Sequence, residues 1–383
     1  VTVEPGVEYR AVSVLKDGQG LGPKNSFVGG ETNYSTLYRV RTADVVLRTI
    51  TAFESPVGVA TSTHDGAHVS GVFLTYEVAR DLLPEYLRLV FQTPRFWGEM
   101  QARATGTVLR RKTVNDTSFA AIPIRVPPLD EQRRIVDLVS SVDATIAGLA
   151  SEALQGEGLG SALAEDLLRD VERVPADRHI VKIDGGKSPQ TTNVAPTASE
   201  EGVLKVSAVT PFEFLPGESK ALLLDTALPF SSRVRPGDVL ITRANTPQKV
   251  GAVCRVPEDV RGGLFLSDKT LRLTPGPDLD PDFLVVAMSL ASARDHLTGS
   301  ATGTSASMFN ISQSKIRATP IPVPERSAQQ RIAATVMSAR QVAREVWREH
   351  ERTLTLRASL LTSLLTQETE IAEAYDRFLG EVA

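Results

Sequence analysis

The chain has 383 residues, of which 42% are hydrophobic and 23% charged; this is a globular balance, and the length predicts two or three domains rather than one core. No run of 18 or more apolar residues occurs, so no membrane-spanning helix is expected, and the start lacks the basic patch and apolar stretch of a secretory signal. The one cysteine, Cys254, excludes a disulfide framework and fits a reducing cytosol, while the formal net charge of −4 argues against strong non-specific phosphate binding.

Four segments follow along the chain. Residues 1–128 read as short β-branched strands broken by Gly, Pro and Asp, with Val40–Ile50 and His68–Tyr76 as examples. One helix interrupts them near Leu82–Gln101, entered through Pro84, where a missing N–H costs little. Residues 129–175 read as a helix opening at Asp130, an N-cap candidate, with Ile135, Leu138, Val142, Ile146 and Leu149 at helical spacing. Gly156, Gly158 and Gly160 predict a kink or break in it, since each costs about 1 kcal/mol against Ala in a helix interior. Residues 176–326 return to strands at Val203–Val209, Val239–Arg243, Val250–Val256 and Lys269–Leu273, with a helix over Asp282–Leu297 behind Pro281. Residues 327–383 read as a second long helix, opened by Ser327 with Gln330 in a capping-box pattern. As one helix, Ser327–Thr366 would be roughly 60 Å long, and its narrow apolar stripe needs a partner helix.

The first two segments repeat in the last two. Ala104-Thr105-Gly106-Thr107 recurs as Ala301-Thr302-Gly303-Thr304, and the same offset of 197 carries Pro84 to Pro281, Pro123 to Pro320, Pro127 to Pro324, Gln132 to Gln329 and Ile135 to Ile332. A period this long marks a duplicated domain, because solenoid units run about 20–50 residues. The opening stretch Ile180–Pro196 maps to positions before Val1, so the first copy is expected to lack a leading strand and a Gly-Lys turn. Charge is not spread evenly. Residues 129–175 hold 4 basic against 10 acidic residues, whereas 1–128 hold 14 against 12. An acidic spacer repels phosphates, while a near-neutral module can still bind DNA through a basic face.

The stretch Pro127-Pro128-Leu129-Asp130-Glu131-Gln132-Arg133-Arg134-Ile135 resembles the motif that ends each target-recognition domain of type I restriction–modification specificity subunits. Pro324–Ile332 resembles it more weakly, with Ala328 in place of the usual Glu. Val234-Arg235-Pro236-Gly237-Asp238-Val239-Leu240-Ile241-Thr242-Arg243-Ala244-Asn245-Thr246 looks like the central strand and turn of such a domain, with Val40–Val46 as its counterpart, and Gly185-Gly186-Lys187-Ser188-Pro189 resembles the opening turn. The resemblance implies an α+β fold. Two similar mixed α/β target-recognition domains (1–128 and 176–326) would be separated by two long antiparallel helices in 129–175 and 327–383, a coiled-coil-like spacer. It implies a chain with no catalysis and no cofactor that reads a bipartite duplex DNA target, recruits two methyltransferase subunits and then a restriction/translocase subunit, and works in the cytoplasm. Half-sites on one DNA face lie about one helical turn, roughly 34 Å, apart, a separation that a stiff helical spacer fixes better than a flexible linker. The alternatives are the recognition part of a fused restriction–methylation enzyme and a protein-binding scaffold.

Candidate DNA contacts are polar loops between strands. Arg110, Arg111 and Lys112 follow the Thr-Gly-Thr turn; they are either a solvated basic loop or partners for phosphates and guanine edges. The matching loop of the second copy carries Thr304, Ser305, Ser307 and Asn310, small groups that suit close approach. Arg243, Asn245, Thr246, Gln248 and Lys249 form a second polar loop, in which Asn and Gln suit adenine and Lys a phosphate; a plain polar hairpin is the competing reading. Lys187 beside two glycines suits a phosphate or an ordinary turn. Gly18-Gln19-Gly20-Leu21-Gly22 and Gly156-Glu157-Gly158-Leu159-Gly160 lack the Lys-Ser/Thr of a P-loop, and the five scattered histidines offer no metal cluster.

Overall fold

The computed structural model describes residues 1–108, 111–223, 225–305, 308–369 and 371. Its helices are α1 (Pro84–Phe91), α2 (Pro94–Arg103), α3 (Asp116–Ala120), α4 (Leu129–Leu167), α5 (Pro281–Ser289), α6 (Ala291–Gly299), α7 (Gln313–Arg317) and α8 (Arg326–Thr366). The chain divides into two compact units. Unit 1 is Val1–Ala150 with the chain from Arg348 on, and unit 2 is Ser151–Trp347, so each takes in part of α4 and part of α8.

Unit 1 is built on a three-stranded antiparallel sheet ordered Val57–Val59, Val45–Arg48, Phe73–Tyr76. The run Val45-Val46-Leu47 suits a strand buried on both faces. Val45 and Leu47 face a core made with Tyr86, Phe91, Phe96 and Met100 of α1 and α2, whereas Val46 joins a smaller cluster with Val12, Val14, Val40 and Val69. The single helix expected over Leu82–Gln101 is two helices. Pro94 has no N–H to continue α1 and instead sits in the first turn of α2, whose N-cap Thr93 accepts from the Phe96 N–H at 3.3 Å. Ile135 and Val139 of α4 and Leu361 and Leu364 of α8 complete the core.

Unit 2 repeats the plan with one more strand. Its antiparallel sheet is ordered Ile180–Gly185, Thr270–Pro275, Val239–Thr242, Val253–Arg255. Side chains alternate across it as the strand period requires. Val239, Ile241 and Val253 pack on α5, while Leu240 and Cys254 face a second cluster with Leu204, Val209 and Leu264. Cys254 is packing material, and burial pushes its thiol well above the usual range. The long single helix expected after Asp282 again breaks in two, between Ser289 and Ala291.

The repeat is tightest where each long helix begins. Gln132 is fully buried; its Oε1 accepts from the Leu83 N–H at 2.8 Å, and its Nε2 donates to the Asp81 and Pro127 carbonyls, each at 2.8 Å. Gln329 does the same with the Asp280 N–H at 2.8 Å and the Asp278 and Pro324 carbonyls at 2.9 and 2.8 Å. The expected N-caps fall one residue inside their helices, since α4 opens at Leu129 and α8 at Arg326.

The expected break at Gly156–Gly160 does not occur, because α4 runs unbroken through all three glycines. A Cβ on Gly156 would lie 3.1 Å from the Ala343 Cβ, and one on Gly160 would lie 3.3 Å from the Arg340 Cγ. The absent side chains let α4 and α8 approach closely, and that packing offsets the helix penalty; nothing in the structure explains Gly158. The pair runs antiparallel in unit 2, where the Trp347 indole donates to the Glu157 carboxylate at 2.9 Å and the Arg340 guanidinium to the Ser161 hydroxyl at 2.8 Å. In unit 1, Arg357 grips Asp143, with Nη2 3.0 Å from Oδ2, and Arg125 donates to the Leu364 carbonyl at 2.9 Å.

Candidate nucleic-acid interface

In unit 2 the candidate residues gather at one edge of the sheet. The strands Ile180–Gly185 and Val239–Thr242 end there, and Thr270–Pro275 and Val253–Arg255 begin there, as the pairings Gly185–Leu271, Thr242–Thr270 and Ile241–Val253 show. The opening turn leaves the first of these strands at Gly186, whose N–H donates to the Ser267 carbonyl at 3.1 Å. A Cβ on Gly186 would fall 1.7 Å from the Leu266 carbonyl oxygen, so only glycine fits. Lys187 follows, exposed, and Ser188 is tied to the Asp268 carboxylate. The Lys269 carbonyl then accepts from the Arg243 N–H at 2.9 Å, which joins the opening turn to the second candidate loop through the intervening residues 266–269.

That second loop is joined to the third by backbone pairing. Ala244–Asn245 pairs with Met308–Asn310, which pairs with Thr302–Ser305, so Asn245 lies opposite Phe309 and Thr302 opposite Asn310. Thr304 and Ser305 are part of this three-stranded sheet and Asn310 is exposed on it; Ser307 lies outside the described residues. Buried Thr242 pins both ends of the Arg243–Gly251 loop, its hydroxyl donating to the Lys249 carbonyl and accepting from the Ala252 N–H, each at 3.0 Å. The Asn245 Oδ1 accepts from the Thr246 N–H at 2.9 Å, which uses one lone pair and leaves the second and both amide hydrogens available. Gln248 and Lys249 are exposed, and Arg243 and Thr246 are half-buried.

Four cations meet at this edge. Lys187, Arg243 and Lys249 were expected; Lys269 was missed, and its sequence signal is a Ser-Asp-Lys-Thr turn leading into a strand. None of the four has an acidic partner within 4 Å among the described residues, whereas Arg255 and Arg272 on the same sheet are ion-paired. Unpaired cations flanking exposed amides suit a ligand that is anionic along its backbone and hydrogen-bonding along its edges.

Unit 1 forms the corresponding edge with different chemistry. Thr113 bridges both Thr105 and Ile50, as Asn310 bridges Thr302 and Ala244. Between the bridged threonines, Gly106 (φ +129°) turns the chain; Arg111 is exposed and Lys112 half-buried, with the Lys112 carbonyl accepting from the Ala52 N–H at 3.0 Å. Arg110 lies outside the described residues. The neighbouring Arg48 is held by Glu54 at 2.9 Å. The sheet beside this edge has no fourth strand among the described residues, unlike that of unit 2. Gly18 of the first glycine-rich stretch is a packing residue, since a Cβ there would lie 2.0 Å from the Phe91 carbonyl oxygen. Among the described residues no cluster could hold a metal ion and no helix is long and apolar enough to cross a membrane.

The chain is similar to several known proteins. Residues 23–154 match the type I restriction modification DNA specificity domain. The specificity subunit of the type I restriction enzyme EcoEI from Escherichia coli is 33% identical over 161 residues, 41% of this chain and 27% of that protein, so the match spans about a quarter of the relative's length. A solved chain from a study of complex assembly and conformational transition of the type I R-M system aligns with 94% of this chain and 92% of its own, with a TM-score of 0.56 and 18% identity. The S subunit of a type I restriction-modification system from M. genitalium aligns with 97% of this chain and 91% of its own, with a TM-score of 0.51 and 13% identity. At these identities the two structures speak for the fold, which is α+β with mixed α/β domains and long helices.

Proposed function

We propose that this chain, whose residues 23–154 match the type I restriction modification DNA specificity domain, is a recognition subunit of that family that does no chemistry and reads a bipartite duplex DNA target. In this reading residues 1–128 and 176–326 are the two target-recognition domains, and 129–175 and 327–383 are the spacer helices that set the gap and recruit two methyltransferase subunits and a restriction/translocase subunit. Arg243, Asn245, Thr246, Gln248, Lys249, Lys187, Thr304, Ser305, Ser307 and Asn310 meet one half-site; Arg110, Arg111 and Lys112 meet the other. The observation that carries this is the convergence of three separate polar loops and four unpaired cations on one sheet edge of unit 2. Lysines there hold phosphates and fix register, and Asn, Gln and Arg discriminate base edges, each good bidentate pair being worth about 1–3 kcal/mol.

The test is a triple substitution, Arg243→Ala, Asn245→Ala and Gln248→Ala. It should abolish recognition of one half-site, read as the loss of one half of the methylated motif in the methylome of a host carrying the variant, while partner subunits still co-purify. An unchanged motif, or loss of co-purification in place of the loss of one half-site, would refute the loop assignment.

A further inference from the structure

In each unit a side chain of the second short helix grips the turn that follows a central strand. In unit 2, Arg294 of α6 donates from Nη2 to the Gln248 carbonyl at 3.1 Å. The guanidinium lies against Gly251, whose φ of +75° and the 3.0 Å between a Cβ there and Arg294 Nη1 leave room for glycine alone. Arg294 is half-buried, and its Nη1 has no hydrogen-bond partner among the described residues. Burial also lowers the guanidinium pKa from its ordinary value. A desolvated cation is costly to keep, so its position needs an explanation beyond surface solubility.

In unit 1, Gln101 of α2 donates from Nε2 to the Phe53 carbonyl at 3.1 Å. Phe53 lies in the turn Ala52–Glu54, flanked by Thr51 (φ 56°) and Ser55 (φ 47°), both in the left-handed region that non-glycine residues enter at a cost. This turn follows the strand Val45–Arg48 as the Thr246–Gly251 loop follows Val239–Thr242. The two clamps differ in residue type, in position under the 197 offset (Gln101 falls on Thr298, and Arg294 on Trp97) and in burial, Gln101 being exposed and Arg294 half-buried; they agree in what they grip. Each starts from the second of two consecutive short helices, ends on a main-chain carbonyl, and takes hold of the turn that follows a central strand.

We infer that Arg294 and Gln101 are positioning residues for sequence reading that do not touch DNA themselves: Arg294 fixes the Arg243–Gly251 loop directly, and Gln101 fixes the Ala52–Glu54 turn, whose Ala52 N–H holds the Lys112 carbonyl of the unit 1 loop. The inference rests on the DNA-reading role proposed above. Hydrogen-bond discrimination between bases depends on donor–acceptor placement within a few tenths of an ångström, and a loop anchored only by its strand ends is free to drift by more than that. A clamp onto a carbonyl sets the loop's height whatever side chains it carries, so two loops of different sequence can be held by the same device.

The test compares Arg294→Met, which keeps the length and loses the donors, with Arg294→Lys, and Gln101→Leu with the wild type. The full-length chain is recovered with the partners it carries from its source cell and offered a random-sequence duplex library; the bound DNA is sequenced, and thermal unfolding is recorded alongside. Arg294→Met should lower discrimination at one half-site about tenfold and leave the other unchanged, Arg294→Lys should restore most of it, and Gln101→Leu should blur the opposite half-site. An unchanged motif, or a loss spread equally over both half-sites with a matching fall in melting temperature, overturns the inference. The triple loop variant runs in parallel. If it blurs a half-site and Arg294→Met does not, only the clamp fails; if no variant alters the motif, or the wild type selects none, the DNA-reading role fails with it.

Discussion

The two units solve one buried-charge problem differently. Asp44 in unit 1 and Asp238 in unit 2 occupy the same turn, each carboxylate accepting from the N–H three residues earlier, Arg41 or Arg235, at 2.8 Å. Asp238 is paired with Arg272 at 2.7 Å, their side chains only 12% and 8% exposed, and Arg272 also donates to the Ser231 carbonyl at 2.9 Å and to the Arg233 carbonyl. The corresponding position in unit 1 is Thr75, opposite Val46 as Arg272 is opposite Leu240. Asp44 is therefore buried without a strong counter-charge, and burial raises its pKa above the usual carboxylate value despite the Arg41 N–H and the nearby Arg41 charge. One turn geometry thus tolerates either a desolvated carboxylate or a completed ion pair, and the cost of disturbing it must differ between the units.

The largest expected effect is at the completed pair. Arg272→Met strands the Asp238 carboxylate and should cost unit 2 about 3–5 kcal/mol, measured by urea unfolding with hydrogen exchange resolving the two units; a cost under about 1 kcal/mol would mean the pair is no more than a surface contact. Next come the junction glutamines. Gln132→Leu and Gln329→Leu each orphan one N–H and two carbonyls in a buried site and should cost about 2–4 kcal/mol apiece. Equal costs would make the two joints energetically one design, and a difference beyond about 2 kcal/mol would break the equivalence that their geometry implies.

The smallest effect is at Asp44. Because its folded-state pKa is raised, the folded protein binds this proton more tightly than the unfolded chain does. The raised pKa therefore works against unit 1 above the folded value and is relieved as pH falls through it, opposite in sign to an ion-paired carboxylate. Asp44→Asn keeps the Arg41 N–H acceptor and should stay within about 1 kcal/mol of wild type near neutral pH, while flattening the rise in unit 1 stability on mild acidification. If the variant keeps that slope, Asp44 is not its source.

Much of this was legible in sequence because it depends on local pattern. Val45-Val46-Leu47 and Val239-Leu240-Ile241 announce buried strands, and the constant offset of 197 brings Gln132 onto Gln329 before any contact is known. What sequence missed depends on approach between distant segments. Gly156 and Gly160 read as breakers because their meeting with Ala343 and Arg340 lies almost two hundred residues away in the chain. Lys269 went unmarked because its value comes from a carbonyl bond to Arg243, and Gln101 and Arg294 because a clamp is defined by the loop it reaches. Pro94 is legible in the sequence, since a proline inside a helical pattern marks an end and a restart.

The joint at Gln132 and Gln329 has one more consequence. All three of its bonds, in both copies, go to main-chain atoms. The hydrogen-bonding part of this joint depends on peptide groups alone and not on the side chains of the residues it bonds. A domain of unrelated surface could be seated on either helix if its backbone presents the same N–H and carbonyls and its core packs against the same apolar helix positions, Ile135 and Val139 or Ala333 and Val336. The joint is thereby separable from the rest of each unit: residues elsewhere on a unit's surface can change wholesale while the fitting stays the same.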